Sequence, residues 1–410
     1  MKNNIAFIHI LLGLMHCLTP IAYTQNHPQP KKILILSSNT GGGHRASALA
    51  LQAAFAQSLP PTCEIQIVDF WVDLAQGQFV HMPKQYAFLA KHPWLWKLSY
   101  EVTRTRAGHF ALKSYLNAFA HHSIRRAFEK IQPELIVSVH PLVNDISQRV
   151  LRKMYQKRPQ DKPHYVTVVT DLGSAHPAWF HPEVDKTYVP SGRVFQDALQ
   201  AGVAPEKIIQ LGLPIRKAFW SVGMEQKAAK EHLGLDPHKA LVLLIGGGDG
   251  VGNLSNTAKA IAAQLAGTPQ ATQTQLAVIC GNNLTLRHRL QQHAWPLATT
   301  IHGFTHNLDE WMSAADILAT KAGPGTIAES LIRGLPLLLT SFLPGQEKYN
   351  VDYVLQHGLG VFADRPQNIA QITSQWLQQP QQLQKMSERA REIARPRAAL
   401  DIAQHILQAL

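Results

Sequence analysis

Short apolar runs rich in valine, isoleucine and leucine recur along this chain, separated by longer amphipathic stretches. From residue 31 they fall at 33–37, 64–70, 135–139, 165–170, 186–189 and 208–211. Most lack a polar alternation, as expected of strands covered on both faces of a parallel sheet. Helical stretches lie between them, such as 46–58 and 194–201. The pattern then restarts, with runs at 241–245, 275–280, 300–302, 316–320, 335–340 and 360–362 and helices such as 307–314 and 326–332. The chain therefore reads as α/β, with two Rossmann-like doubly wound domains joined around residues 214–227. The expected division is a hydrophobic segment and linker at 1–30, a first domain at 31–218, a second at 219–390 and a helical tail at 391–410. Two open sheets facing each other leave a crevice at the carboxyl ends of their strands, where ligands bind.

Composition narrows the class. Hydrophobic residues make up 45% of the 410 and charged residues 16%, so each half can bury a core. The net charge of +12 is uneven: residues 31–218 carry +10 and residues 219–410 carry +1. A basic half implies an anionic partner, and with no nucleic-acid motif present the expectation is membrane lipid. Cys17, Cys63 and Cys280 form neither a disulfide framework nor a zinc pattern, and the 21 histidines include no His-Glu-x-x-His. A metal site is possible but not indicated. The apolar run 5–18 is shorter than the roughly 20 residues that span a bilayer. It reads as a membrane-inserting anchor or, alternatively, a targeting segment or mis-called start.

Glycine loops follow four of the strands or their hinge. Ser37-Ser38-Asn39-Thr40-Gly41-Gly42-Gly43-His44 matches neither the dinucleotide fingerprint nor a Walker loop. Gly42 and Gly43 allow a ligand close to the backbone, and His44 is either a helix-capping residue or a base or phosphate contact facing the crevice. Lys321 to Glu329 carries Gly323-Pro324-Gly325-Thr326 ahead of a helix. Thr326 and Glu329 fit a capping box, but Gly-Pro-Gly fits better a diphosphate on the helix N-terminus, with Glu329 on ribose hydroxyls. Gly246 to Gly250, including Gly247 and Gly248, is a further loop suited to a diphosphate. Gln346, Glu347 and Asn350 are suited to sugar hydroxyls or are an ordinary polar helix start. Arg216 is either a donor-phosphate contact or an exposed linker charge.

The segment 81–100 differs in character. Tyr86, Phe88, Trp94 and Trp96 alternate with Lys84, Lys91 and Lys97, as at a membrane surface. The same spacing also suits a pair of core helices with solvated lysines.

In this order, these stretches resemble the plant-type monogalactosyldiacylglycerol synthases, and more distantly the N-acetylglucosaminyltransferase of peptidoglycan lipid II assembly. The resemblance runs from about residue 32 to 396. It is carried by GGGHRASA at 41–48, PKQYAFLAKHPWLWKLSY at 83–100, VSVHPL at 137–142, TVVTDLGSAHPAWFHPEVD at 167–185, GLPIR at 212–216, LLIGGGDG at 243–250, ICGNN at 279–283 and KAGPGTIAESLIRGLP at 321–336. It implies the GT-B fold and inverting transfer of a hexose, galactose ahead of glucose, from a UDP-sugar to the sn-3 hydroxyl of diacylglycerol. It implies an acceptor-binding first domain and a donor-binding second. His44 would act at the acceptor hydroxyl, with Asp171 a second candidate base. The loop at Thr326 would hold the diphosphate, Glu329 the ribose, and Gln346 and Glu347 the sugar. No cofactor or metal is implied. The implied partners are diacylglycerol and an anionic phospholipid surface on the side with access to UDP-sugars, the cytoplasmic face of the inner membrane in a bacterium. Two rivals share the architecture: a soluble UDP-sugar isomerase and a non-catalytic sensor.

Overall fold

The computed structural model describes residues 30–40, 42–90, 92–246 and 253–410. The expectations for the N-terminal segment and for Gly247 and Gly248 lie outside these residues.

All twelve expected strands are present, in two six-stranded parallel sheets. The first comprises β1 (Lys32–Ser37), β2 (Glu64–Asp69), β3 (Leu135–Ser138), β4 (His164–Val168), β5 (Lys186–Val189) and β6 (Ile208–Gln210), in the order β2-β1-β3-β4-β5-β6. Its helices are α1 (Gly42–Ser58), α2 (Met82–Ala90), α3 (Pro93–Arg104), α4 (Arg106–Ile131), α5 (Asn144–Met154) and α6 (Gly192–Gln200). The second sheet comprises β7 (Ala240–Ile245), β8 (Thr274–Ile279), β9 (Ala298–His302), β10 (Ile317–Lys321), β11 (Leu337–Ser341) and β12 (Gly360–Phe362), in the order β12-β11-β10-β7-β8-β9. With it run α7 (Gln226–His232), α8 (Leu254–Leu265), α9 (Gln270–Gln273), α10 (Leu284–Gln291), α11 (Leu308–Ala314), α12 (Pro324–Arg333), α13 (Lys348–Gln356), α14 (Pro366–Leu377), α15 (Pro380–Ile393) and α16 (Ala398–Gln408).

Why the strands are so apolar follows from what covers them. Successive residues of a strand point to opposite faces. Leu34 and Leu36 of β1 pack with Leu116, Ile124 and Phe128 of α4, whereas Ile33 and Ile35 pack with Leu51 and Phe55 of α1. In β7, Val242 and Leu244 meet Ile261 and Leu265 of α8, and Leu241 and Leu243 share a core with Trp311 and Ile327. Each sheet is thus a middle layer with no solvent face.

Strand order places the ligand sites. The chain turns back between β1 and β3 in the first sheet and between β7 and β10 in the second. At such switch points, neighbouring loops diverge and open a crevice. The C-terminal α16 does not stay with the second lobe. It packs on α1 through Ala399, Ile402, Ala403 and Ile406, and the Tyr188 hydroxyl meets His405 Nδ1 at 3.0 Å. Burying Ile402 and Ile406 contributes about 3–6 kcal/mol as an upper estimate. That is a sizeable share of the roughly 5–15 kcal/mol by which proteins are stable, so the tail is firmly docked on the first lobe.

Candidate active site

The first wall of the crevice is built where β1, β3 and β4 end. His44 lies in the first turn of α1, half-buried, with Nδ1 2.9 Å from Thr170 Oγ1. The buried His140 packs edge-on against it, with ring centroids 4.9 Å apart. His140 Nδ1 accepts from the Leu142 N–H at 3.3 Å, so a neutral His140 carries its proton on Nε2 and donates it to Thr40 Oγ1 at 3.0 Å. Loss of hydration lowers His44 to about 4, against the raising effect of a hydrogen bond with the Val139 backbone. Burial and then the proximity of His44 hold His140 well below its ordinary range. Both imidazoles are therefore neutral at pH 7. Asp69, at the end of β2, accepts from the Asn39 and Trp71 N–H groups and fixes the preceding turn.

The second wall is built where β10 and β11 end. The pairing of β10 with β11 shifts register between Thr320 and Lys321. Gly323 is the N-cap of α12, Pro324 its first residue, and no side chain caps it. The capping box that Thr326 and Glu329 would also have fitted is therefore absent: Thr326 lies inside the first turn. That turn presents backbone N–H groups and the positive end of the helix dipole. Glu329 is buried and accepts from Arg216 Nε and Nη2, both at 2.7 Å. Burial pushes the Glu329 carboxyl up, against the pull of Arg216. Arg216 is thus neither a free linker charge nor an unoccupied phosphate ligand, and both Glu329 oxygens already have a partner. Glu347 pairs with Lys321 and accepts from the Leu343 N–H at 2.8 Å.

The walls are joined directly. Asp171, after β4, accepts from Trp179 Nε1 at 2.6 Å and from Gln346 Nε2 of the other lobe at 3.2 Å. Burial raises its carboxyl to about 6, although both hydrogen bonds pull it down. Asn350 Oδ1 accepts from the Gly173 N–H at 2.8 Å, and its Nδ2 donates to the Ala322 carbonyl at 2.9 Å. Asn350 therefore ties the lobes together instead of standing free for a sugar. Helices α1 and α12 come into contact, and each starts at the carboxyl end of a strand beside its sheet's switch point.

A cavity of about 470 Å³ lies at the ends of β8 and β9, lined by Gly281, Asn282, Arg287, His302, Phe304 and Thr305. Sequence reading named none of these; only ICGNN, quoted for its resemblance, overlaps them. A further cavity of about 860 Å³ lies elsewhere, at the hinge around Trp220 and Arg333. No cluster of three or more His, Cys, Asp or Glu able to hold a metal ion occurs among the described residues.

On α2 to α4, Phe88, Trp94, Leu98 and Phe110 are more than half exposed. Trp96 turns inward instead, edge-on to Tyr86 at 5.1 Å and near Tyr100 at 6.3 Å. Of the four aromatic residues expected at a membrane surface, Phe88 and Trp94 are exposed, while Tyr86 and Trp96 form an aromatic support behind them. Among the described residues no helix is long and apolar enough to cross a membrane.

Two doubly wound parallel lobes, with an uncapped glycine-led helix at the switch point of the second, define the GT-B fold. Residues 44–215 match the family model described as monogalactosyldiacylglycerol (MGDG) synthase, and 241–406 match the glycosyltransferase family 28 C-terminal domain. The chain belongs to the monogalactosyldiacylglycerol synthase family. It is 40% identical over 375 residues to the chloroplastic monogalactosyldiacylglycerol synthase of Spinacia oleracea, covering 91% of this chain and 71% of that one. It is also 40% identical over 379 residues to a probable chloroplastic monogalactosyldiacylglycerol synthase of Glycine max, covering 91% and 70%. The solved structure of MurG from Acinetobacter baumannii superposes with a TM-score of 0.60 at 16% identity, covering 93% of this chain and all of that one. That likeness concerns the fold alone.

Proposed function

We infer that the chain transfers galactose from UDP-galactose to the sn-3 hydroxyl of 1,2-diacylglycerol, making β-monogalactosyldiacylglycerol. The carrying observation is the meeting of α1 and α12, each starting at its sheet's switch point. The uracil occupies the cavity at Phe304 and Thr305, the diphosphate the first turn of α12, and the hexose the side of Gln346 and Glu347. That order follows the strands: β9 and β8, then β7 and β10, then β11. A lone pair of the acceptor oxygen attacks the anomeric carbon from the face opposite UDP, and the carbon–phosphate-oxygen bond breaks towards UDP. His44 takes the hydroxyl proton. Asp171 accepts from Trp179 and Gln346 and serves to orient them. The charge growing on UDP is met by the N–H groups of Gly325 and Thr326, with Arg216 in reserve when ribose hydroxyls take up Glu329.

The acceptor arrives from a membrane. Trp94 and Leu98 lie on α3, and Tyr100 of the same helix abuts Gly345 in the loop before Gln346. Reversing polarity with Trp94→Glu and Leu98→Glu is expected to lower partitioning onto anionic vesicles by at least about tenfold. Vesicle flotation reads this, and unchanged flotation with loss of UDP binding would assign these residues to folding instead. The function itself is tested by incubating the enzyme with diacylglycerol vesicles and either UDP-galactose or UDP-glucose. The expected product is a β-linked galactolipid from the first donor. A free sugar epimer released without lipid product would favour the isomerase.

A further inference from the structure

Lys321 sits where β10 ends at the switch point, at the register shift against β11. Its Nζ lies 3.5 Å from where a Cβ would stand on Gly323, the N-cap of α12. The ammonium is therefore beside the helix start assigned above to the diphosphate. Its partner is Glu347, whose side chain is only 8% exposed while that of Lys321 is 33% exposed. The cation is the accessible member of the pair, and the carboxylate is the one that suffers if left alone.

Resting on the functional reading above, we propose that Lys321 and Glu347 form an exchangeable pair that couples recognition of the diphosphate to recognition of the sugar. On donor binding, the ammonium turns from Glu347 to the diphosphate. The Glu347 oxygen so released accepts from a hydroxyl of the hexose. UDP alone supplies no such hydroxyl, so it must draw Lys321 away and leave a buried carboxylate without its partner, which is costly. A UDP-hexose offsets that cost. The pair thus favours the intact donor over the product UDP. It also adds a positive charge at the leaving group.

The test is calorimetric titration of the full chain with UDP and with uridine, beside steady-state assays with UDP-galactose and diacylglycerol vesicles. Glu347→Gln keeps an acceptor for the Leu343 N–H but removes the counter-charge. It is expected to bind UDP about tenfold more tightly, while kcat/KM for UDP-galactose falls by about tenfold or more. The double variant Lys321→Gln/Glu347→Gln buries no unpaired charge, and it is expected to lose the gain in UDP affinity. Uridine affinity should be the same in all three proteins, which reports an intact lobe. UDP binding that is unchanged or weakened in Glu347→Gln, with uridine binding intact, would overturn the exchange. Wild-type protein that binds no UDP at all would remove the functional reading itself and this proposal with it.

Discussion

His44→Ala is expected to lower kcat by about 10²–10⁴-fold, the usual contribution of a positioned general base. UDP affinity should change by less than about twofold, because His44 belongs to the first lobe and the UDP contacts to the second. The pH profile adds a signature that distinguishes the two candidate bases. A base must be deprotonated to act. His44 is lowered to about 4 by burial, so kcat/KM should hold down to roughly that pH before falling. Asp171 is raised to about 6 by burial, so if it were the base the acid limb would lie near 6. Radiolabelled transfer to diacylglycerol vesicles, with wild type and variant from pH 4.5 to 8, measures both. Near-normal turnover in His44→Ala, or a limb near 6, would move the role to Asp171.

A second large loss is expected from a single methyl group added at the contact between the lobes. A Cβ on Gly173 would stand 2.0 Å from the Tyr349 carbonyl oxygen and 2.6 Å from the Asn350 nitrogen. Those are backbone atoms of the opposite lobe and cannot rotate away. Gly173→Ala must therefore push the lobes apart or bend the segment that also carries Asp171. A misplacement of about 1 Å between reacting groups costs roughly 10²-fold in rate. The expected result is a fall in kcat/KM of about that size, with a destabilisation of about 1–3 kcal/mol. UDP binding to the second lobe should be largely kept. Steady-state kinetics beside thermal unfolding and UDP titration separate these terms; full activity would mean that the lobe contact is dispensable.

Much of this was legible in the chain itself. Runs such as 33–37 and 241–245 announce their strands because parallel strands are covered on both faces, and burial leaves them almost no polar residues. Glycines after those runs announce the crevice, since turns at strand ends need little side chain. What periodicity cannot supply is the partner. Arg216 and Glu329 are 113 residues apart, and nothing local marks them as a bidentate pair. Asn350 looks like a sugar ligand by residue type, yet it spends its amide on Gly173 and Ala322. Trp96 shares its segment with Trp94 but turns the other way, because the two differ by about 200° around a helix.

The histidines show the same limit. His140, His176 and His181 each precede a proline, and in each Nδ1 accepts from the N–H two residues on. The dipeptide thus records a local turn. Only the fold reveals that His140 alone of the three lies against His44. The helical tail was legible as a helix, but its return to α1 depends on the apolar faces of two elements from opposite ends of the chain.

The central claim is that the starts of α1 and α12 serve one ligand pair. Hydrogen exchange read by mass spectrometry tests it most directly. With UDP alone, protection should appear at the start of α12 and beside Phe304. Adding diacylglycerol vesicles should extend it to the first turn of α1 around His44. Protection confined to the hinge cavity around Trp220 and Arg333, or never reaching α1, would contradict the account.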